Sequence, residues 1–203
     1  MIYTFGDSHS KFGWERIDGV VYNHIGPKLM FNFRKDIFKF VNMSDEDSLV
    51  FCFGEIDVRC HIKKHVIDDN YQDLITNMCN TYISEILKIK KEHNIKSVHI
   101  YSVTPTRRVD SKEPYNITCA TYQVYNKEKA EPFPFIGSDS ERKNYTLFIN
   151  SELNKLAQQN NLGFINVYQD YIDKDGYLNM NLSDGTVHIE NKSFLENRIK
   201  HLM

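Results

Sequence analysis

Apolar positions along this chain fall into two rhythms. Short continuous runs alternate with longer stretches in which apolar residues recur every three or four positions. Ile2-Tyr3-Thr4-Phe5 is the first short run and Val20-Val21-Tyr22 the second. Ser48-Leu49-Val50-Phe51-Cys52-Phe53 is the clearest, uncharged throughout, as a strand covered on both faces must be. Ser97-Val98-His99-Ile100-Tyr101 and Gly163-Phe164-Ile165-Asn166-Val167 complete the set. Between them, Tyr71, Leu74, Ile75, Met78, Tyr82, Ile86 and Ile89 form one stripe of an amphipathic helix. From Arg142 a second helix carries Tyr145, Phe148, Ile149, Leu153 and Leu156, and Glu190 to Leu202 reads as a terminal helix with Phe194, Ile199 and Leu202 inward. Strands alternating with helices predict α/β architecture: a parallel sheet in a flavodoxin-like three-layer sandwich, one domain over residues 1–203.

Three stretches fit neither rhythm. Lys11 to Asp18 reads as a short helix or loop, and the aromatic-rich segment from Leu29 to Val41 predicts a helix over 35–41. Residues 105–140 are too long for an idle connection and are expected to form a lid, an insertion or a substrate wall, with a small strand within Thr118 to Tyr125.

Composition narrows the classes. With 203 residues, 41% hydrophobic and 26% charged, the chain can bury one good core and is not of disordered type. A net charge of -2 argues against a nucleic-acid partner, whose footprint is a basic face. Cys52, Cys60, Cys79 and Cys119 form no C-x-x-C pair and read as free thiols of a reducing compartment. Met1 runs directly into a core-like strand and no apolar run reaches spanning length, so a cytoplasmic protein without membrane insertion is expected.

Candidate chemistry begins where the first strand ends, at Gly6-Asp7-Ser8-His9-Ser10. A serine held on a strand-to-helix turn presents its hydroxyl at the sheet edge beside free amides. The same residues also suit ordinary N-capping. Asp184-Gly185-Thr186-Val187-His188 pairs an imidazole with a carboxylate, the base and orienter of acyl-transfer chemistry, although Asp-Gly is also a common turn. In a parallel sheet both loops can open at one edge. Asp57, Cys60, His61 and His65 offer a metal-ligand reading, against which Lys63 and Lys64 point to a solvated segment. A phosphate cradle at Gly6 lacks the supporting G-K-[ST] or G-x-G-x-x-G pattern. Neither a cofactor nor a metal is expected.

These blocks give the chain a resemblance to the SGNH (GDSL-type) hydrolases. Gly6-Asp7-Ser8 matches the family's first block, and Asp184 with His188 its last. Gly26 fits the glycine of its oxyanion hole, and Gly54-Glu55-Ile56-Asp57 falls where the family has Gly-x-Asn-Asp. Pro105, Asn150 and Leu153 also fit. The resemblance implies the SGNH hydrolase fold and a serine esterase with Ser8 as nucleophile, His188 as base and Asp184 as orienter. The Ser8 and Gly26 amides would hold the oxyanion, and Asp7, Gly54, Glu55, Asp57 and His61 are further site candidates. It implies a small-molecule or glycan acyl ester as partner, an O-acetylated carbohydrate among them; transfer of the acyl group to a sugar, or binding without turnover, are the alternatives. Two positions depart from the pattern. Ile56 stands where the family's oxyanion asparagine does and cannot donate a hydrogen bond; Arg59 is the nearest substitute, unless it pairs with Glu55 or Asp57. Asp184 lies four residues before His188 where the family has three.

Overall fold

The computed structural model describes residues 1–38, 43–109 and 135–203. Five parallel strands, β1 (Ile2–Gly6), β2 (Val20–His24), β3 (Ser48–Cys52), β4 (Ser97–Tyr101) and β5 (Gly163–Ile165), pair in the order β2-β1-β3-β4-β5. The winding reverses between β1 and β3, which opens a crevice beyond the carboxyl ends of those two strands.

Alternation along β3 supplies both cores. Leu49 and Phe51 face one layer, where α2 (Tyr71–Glu92) and α3 (Asp139–Gln159) pack; Val50 and Cys52 face the other, with Trp14, Tyr101, Tyr171 and α4 (Ser193–Ile199). A shorter α1 (Ile62–His65) continues a π-helical turn, Asp57–His61, that follows β3. Strand β2 lies at the sheet edge with Val21 and Tyr22 exposed.

The β1–β3 contact is unusually close. A Cβ at Gly6 would lie 1.9 Å from the Cys52 carbonyl oxygen, so no other residue fits there. The chain then turns off the sheet at Asp7, whose amide donates to that carbonyl at 3.2 Å.

Several expected elements shift. Over 35–41 the described part is a single 3-10 turn, Lys35–Ile37, and residues 39–42 lie outside the described residues. Among the described aromatics of this segment, Phe33 is buried edge-on against Phe51, Phe53 and Tyr82, while Phe31 is exposed. Lys11 to Asp18 is a run of turns. Helix α3 starts three residues before Arg142, fixed by a capping box between Ser138 and Glu141. The terminal helix is shorter than expected, and Leu195 and Ile199, not Phe194, face inward; Phe194 is exposed and packs edge-on against Tyr171. Of the 105–140 segment, residues 110–134 lie outside the described residues, and with them the expected strand at 118–125 and Cys119. The other three cysteines are buried and free. Among the described residues, no helix is long and apolar enough to cross a membrane.

Candidate active site

Ser8 opens a 3-10 turn, Ser8–Ser10, immediately past β1. Asp7 caps that turn by accepting the His9 amide at 2.8 Å, which fixes Ser8 at the mouth of the crevice. His188 arrives from the opposite end of the sequence, on the loop between Ser183 and Ile189, which are joined by an antiparallel bridge. Its Nε2 lies 2.9 Å from Ser8 Oγ, and its Nδ1 lies 2.9 Å from Asp184 Oδ2.

The longer Asp184–His188 spacing is absorbed locally. Gly185 adopts φ +85°, and the Asp184 amide donates back to the His188 carbonyl at 3.2 Å. Thr186 occupies the turn so produced: its amide and hydroxyl donate to Asp184 Oδ1 at 2.8 and 2.6 Å, and its oxygen lies 3.0 Å from His188 Nδ1. Asp184 thus accepts from three donors. Burial works against its charge, but the Thr186 and His188 hydrogen bonds prevail and hold its pKa below the ordinary carboxylate value. With Nδ1–H directed at Asp184, Nε2 of neutral His188 can only accept, and Ser8 donates to it. Burial, together with the nearby charges of His9 and Arg59, keeps the His188 pKa below the usual histidine value.

Ser8 and His188 open into a cleft of about 440 Å³. Pro27, Ile56, Phe135 and Val187 form its apolar lining, and His24, Arg59, Arg107 and Thr186 its polar lining. Gly26, at φ +84°, lies in the chain between His24 and Pro27, both of which line the cleft. Ile56 lines this cleft together with Ser8, backed by Cys60, Ile136 and Leu29. Arg59 lines the same cleft and pairs with Glu55 at 3.1 Å, the structural partner that the sequence offered for it. Arg107 donates to the Gly185 carbonyl at 3.1 Å and so braces the loop that carries Asp184 and His188.

The remaining sequence candidates are placed behind the cleft or away from it. Asp7 is fully buried beneath Ser8. Gly54 is buried against Val103, and a Cβ there would come within 2.7 Å of it. Glu55 lies under Arg59, its pKa raised by burial. Asp57 points away: its carboxylate accepts the amides of Met30 and Phe31 at 2.7 and 3.1 Å, with burial pushing its pKa up to about 7. It anchors the chain beyond β2 and does not meet the cleft. His61 turns toward His65 and Phe31, with ring centroids 4.5 and 4.7 Å away, and burial lowers its pKa to about 4. Among the described residues, no three His, Cys, Asp or Glu side chains are grouped to hold a metal ion. Asn150 forms a two-pronged clamp, accepting from the Val103 amide at 2.8 Å and donating to the Val103 carbonyl at 2.9 Å. That clamp ties α3 to the chain leaving β4.

Two side chains at the site carry no sequence signal of their own beyond their nearness to Ser8. Phe12 stacks on the His188 ring at 4.3 Å, and His9 lies buried with its ring 5.0 Å from that of His188.

No family model matches the sequence, and no curated protein matches it significantly. Solved structures do match in fold. A GDSL-like lipase from Bacteroides thetaiotaomicron is similar with a TM-score of 0.57 and 17% identity, over 98% of this chain and 85% of its own. A candidate acylhydrolase from Bacteroides fragilis gives 0.60 and 17% over 98% and 84%. A candidate platelet activating factor from Streptococcus pneumonia gives 0.61 and 15% over 100% and 83%. The chain has the SGNH hydrolase fold, an α/β sandwich with strand order 2-1-3-4-5.

Proposed function

We propose that this chain is a serine-dependent acyl-ester hydrolase acting through Ser8, His188 and Asp184. The observation that carries the reading is the continuous hydrogen-bonded chain from Ser8 Oγ through the His188 ring to Asp184, both links at 2.9 Å, opening into the cleft at the sheet's switch point.

In this mechanism Ser8 Oγ attacks the ester carbonyl while His188 Nε2 takes its proton. Asp184, held by Thr186, fixes the imidazole tautomer and stabilises the imidazolium that forms. The imidazolium then protonates the departing alkoxide, leaving Ser8 acylated. Water, deprotonated by the same nitrogen, releases the acid and restores the serine. Charge developing on the carbonyl oxygen is met by the amides of Ser8 and Gly26. Arg59 supplies the positive charge that Ile56 cannot. Phe12, stacked on the imidazole, limits its rotation and its access to water. The apolar lining of Ile56 and Phe135 and the polar lining of His24, Arg59 and Arg107 support, as the proposed substrate, a small acyl group on a hydroxylated alcohol such as a carbohydrate.

A second reading, binding of a glycan or acyl group without turnover, draws on Ile56 lining the cleft in place of a hydrogen-bond donor. Labelling by a serine-reactive phosphonate, read beside turnover of a short-chain aryl ester, separates the two. Hydrolysis requires stoichiometric labelling at Ser8 and turnover abolished in Ser8→Ala and His188→Ala. The double variant should be little worse than either single one, because the two groups act as a unit. Wild-type turnover in Ser8→Ala would refute the hydrolase reading.

A further inference from the structure

The residue after Ser8 has an environment that the ester mechanism above does not use. His9 is 4% exposed, and each of its ring nitrogens faces an oxygen. Nδ1 lies 3.2 Å from Asp7 Oδ1, and Nε2 lies 3.3 Å from the Val187 carbonyl oxygen. A neutral imidazole has one N–H and one lone pair, so either tautomer would press a lone pair against an oxygen. With Asp7 as a carboxylate, only the imidazolium donates to both. Asp7 points the same way. It is fully buried, its Oδ1 accepts the His9 amide at 2.8 Å, and the same oxygen lies 3.2 Å from His9 Nδ1. A buried carboxylate of this kind needs a countercharge in contact, and His9 is that contact.

We propose that His9 is an imidazolium and a positioning residue for His188, tying the loop of the base to the turn of the nucleophile and holding His188 neutral toward Ser8. The inference rests on the hydrolase reading for its catalytic meaning. Its physical basis is separate. His9 follows Ser8 directly and Val187 precedes His188 directly, so the Nε2–H···O=C bond joins the two flanking residues across 178 positions of sequence. The two rings lie 5.0 Å apart, and a cation at that distance disfavours a second one. The charged groups around the pair come from every neighbouring element. Asp7 lies beyond β1, Glu55 and Arg59 lie in the turn beyond β3, and Asp184 lies on the terminal loop. Burial opposes the charge on His9; the hydrogen bond and charge of Asp7, with the charge of Glu55 and the Val187 carbonyl, outweigh it, so the His9 pKa stands above the ordinary value. For catalysis the consequence is twofold. Resting His188 stays an acceptor at mildly acidic pH, and once protonated it is a stronger acid toward the leaving alkoxide.

The test uses the full chain with histidine ring nitrogens labelled for NMR, and the variant His9→Gln. Glutamine keeps an amide donor for the Val187 carbonyl and removes the charge. In the wild type both His9 nitrogens should carry protons at pH 7. In His9→Gln the titration of His188 should move up by about 0.6 to 2.4 pH units, the range that Coulomb's law gives at this separation between bulk water and a protein surface. The acid limb of kcat/KM for a nitrophenyl acetate should move with it. A merely structural His9 would change stability and leave both titrations in place. A neutral His9 ring at pH 7, or a His188 titration unmoved in His9→Gln, overturns the proposal. Should His9→Gln not fold, the protonation state of wild-type His9 decides alone. The NMR readouts need no turnover: a wild-type protein with these titrations and no esterase activity would remove the hydrolase reading and leave the ring pairing standing.

Discussion

Arg59 is the residue at which stability and rate can be separated most sharply. Its guanidinium lines the cleft, stands 5.5 Å over the Phe135 ring and contacts Glu55 at 3.1 Å; the two charged side chains are 13% and 6% exposed. Arg59→Met keeps the aliphatic stem and removes the charge. Glu55 is then left buried without that cation, and breaking a buried pair from one side costs about 3–5 kcal/mol. Burial already raises the Glu55 pKa while Arg59 pulls it down, so in the variant the carboxyl takes a proton more readily and the loss falls at the lower figure, about 3 kcal/mol. For a chain of this size that is a melting point lowered by roughly 6–12 °C. If Arg59 also stabilises the oxyanion, kcat on an aryl ester falls by about 100-fold in the same protein. The variant Glu55→Gln/Arg59→Met divides the two effects. With both charges gone, most of the stability should return, and the rate should stay low. Calorimetry and turnover per active site, measured on one preparation, give the answer. A doubly substituted protein that is as stable and as fast as the wild type refutes the oxyanion role.

Asp184→Asn should lower kcat by about four orders of magnitude with KM little changed, because the amide no longer fixes the His188 tautomer; a loss under tenfold in steady-state assays would take Asp184 out of the mechanism. The acid limb of kcat/KM should lie below the ordinary histidine value of about 6.5, since the active form is neutral His188 and its pKa is lowered; activity is then retained at mildly acidic pH and lost only as pH falls through that lower value. Asn150→Ala leaves the buried amide and carbonyl of Val103 without their clamp and should cost about 2–4 kcal/mol in urea unfolding, whereas a cost below about 0.5 kcal/mol would mean that other groups satisfy Val103.

What could be read from the chain beforehand followed from how local each signal is. Strand β3 is legible because burial on both faces leaves no polar position to interrupt Leu49 to Cys52. Ser8 and His188 are legible because each sits in a short block tied to an element end, and the parallel sheet brings those ends to one edge. The start of α3 was also written locally, in Ser138 and Glu141, but the capping pair stands outside the apolar stripe that marked the helix. Phe194 was misplaced because a one-residue difference in helical phase exchanges it for Leu195. The parts of Asp57 and His9 could not be read, because their partners lie far off in sequence. Asp57 is defined by the amides of Met30 and Phe31, and His9 by a carbonyl 178 positions away. A carboxylate beyond a strand end looks the same whether it faces a substrate or a backbone.

The distance in sequence between the two partners of the site, 180 positions from Ser8 to His188, also orders events during synthesis. Every strand of the sheet has been made once Ile165 leaves the ribosome's active centre, yet the imidazole is still to come. At about 5–20 residues per second the interval is roughly one to five seconds, long enough for strands and helices to begin to pair. Through that interval the turn that carries Ser8 exists without the imidazole that contacts it in the finished fold. On the hydrolase reading proposed above, Ser8 gains its base only when the loop that carries His188 docks, so phosphonate labelling of Ser8 would report that docking.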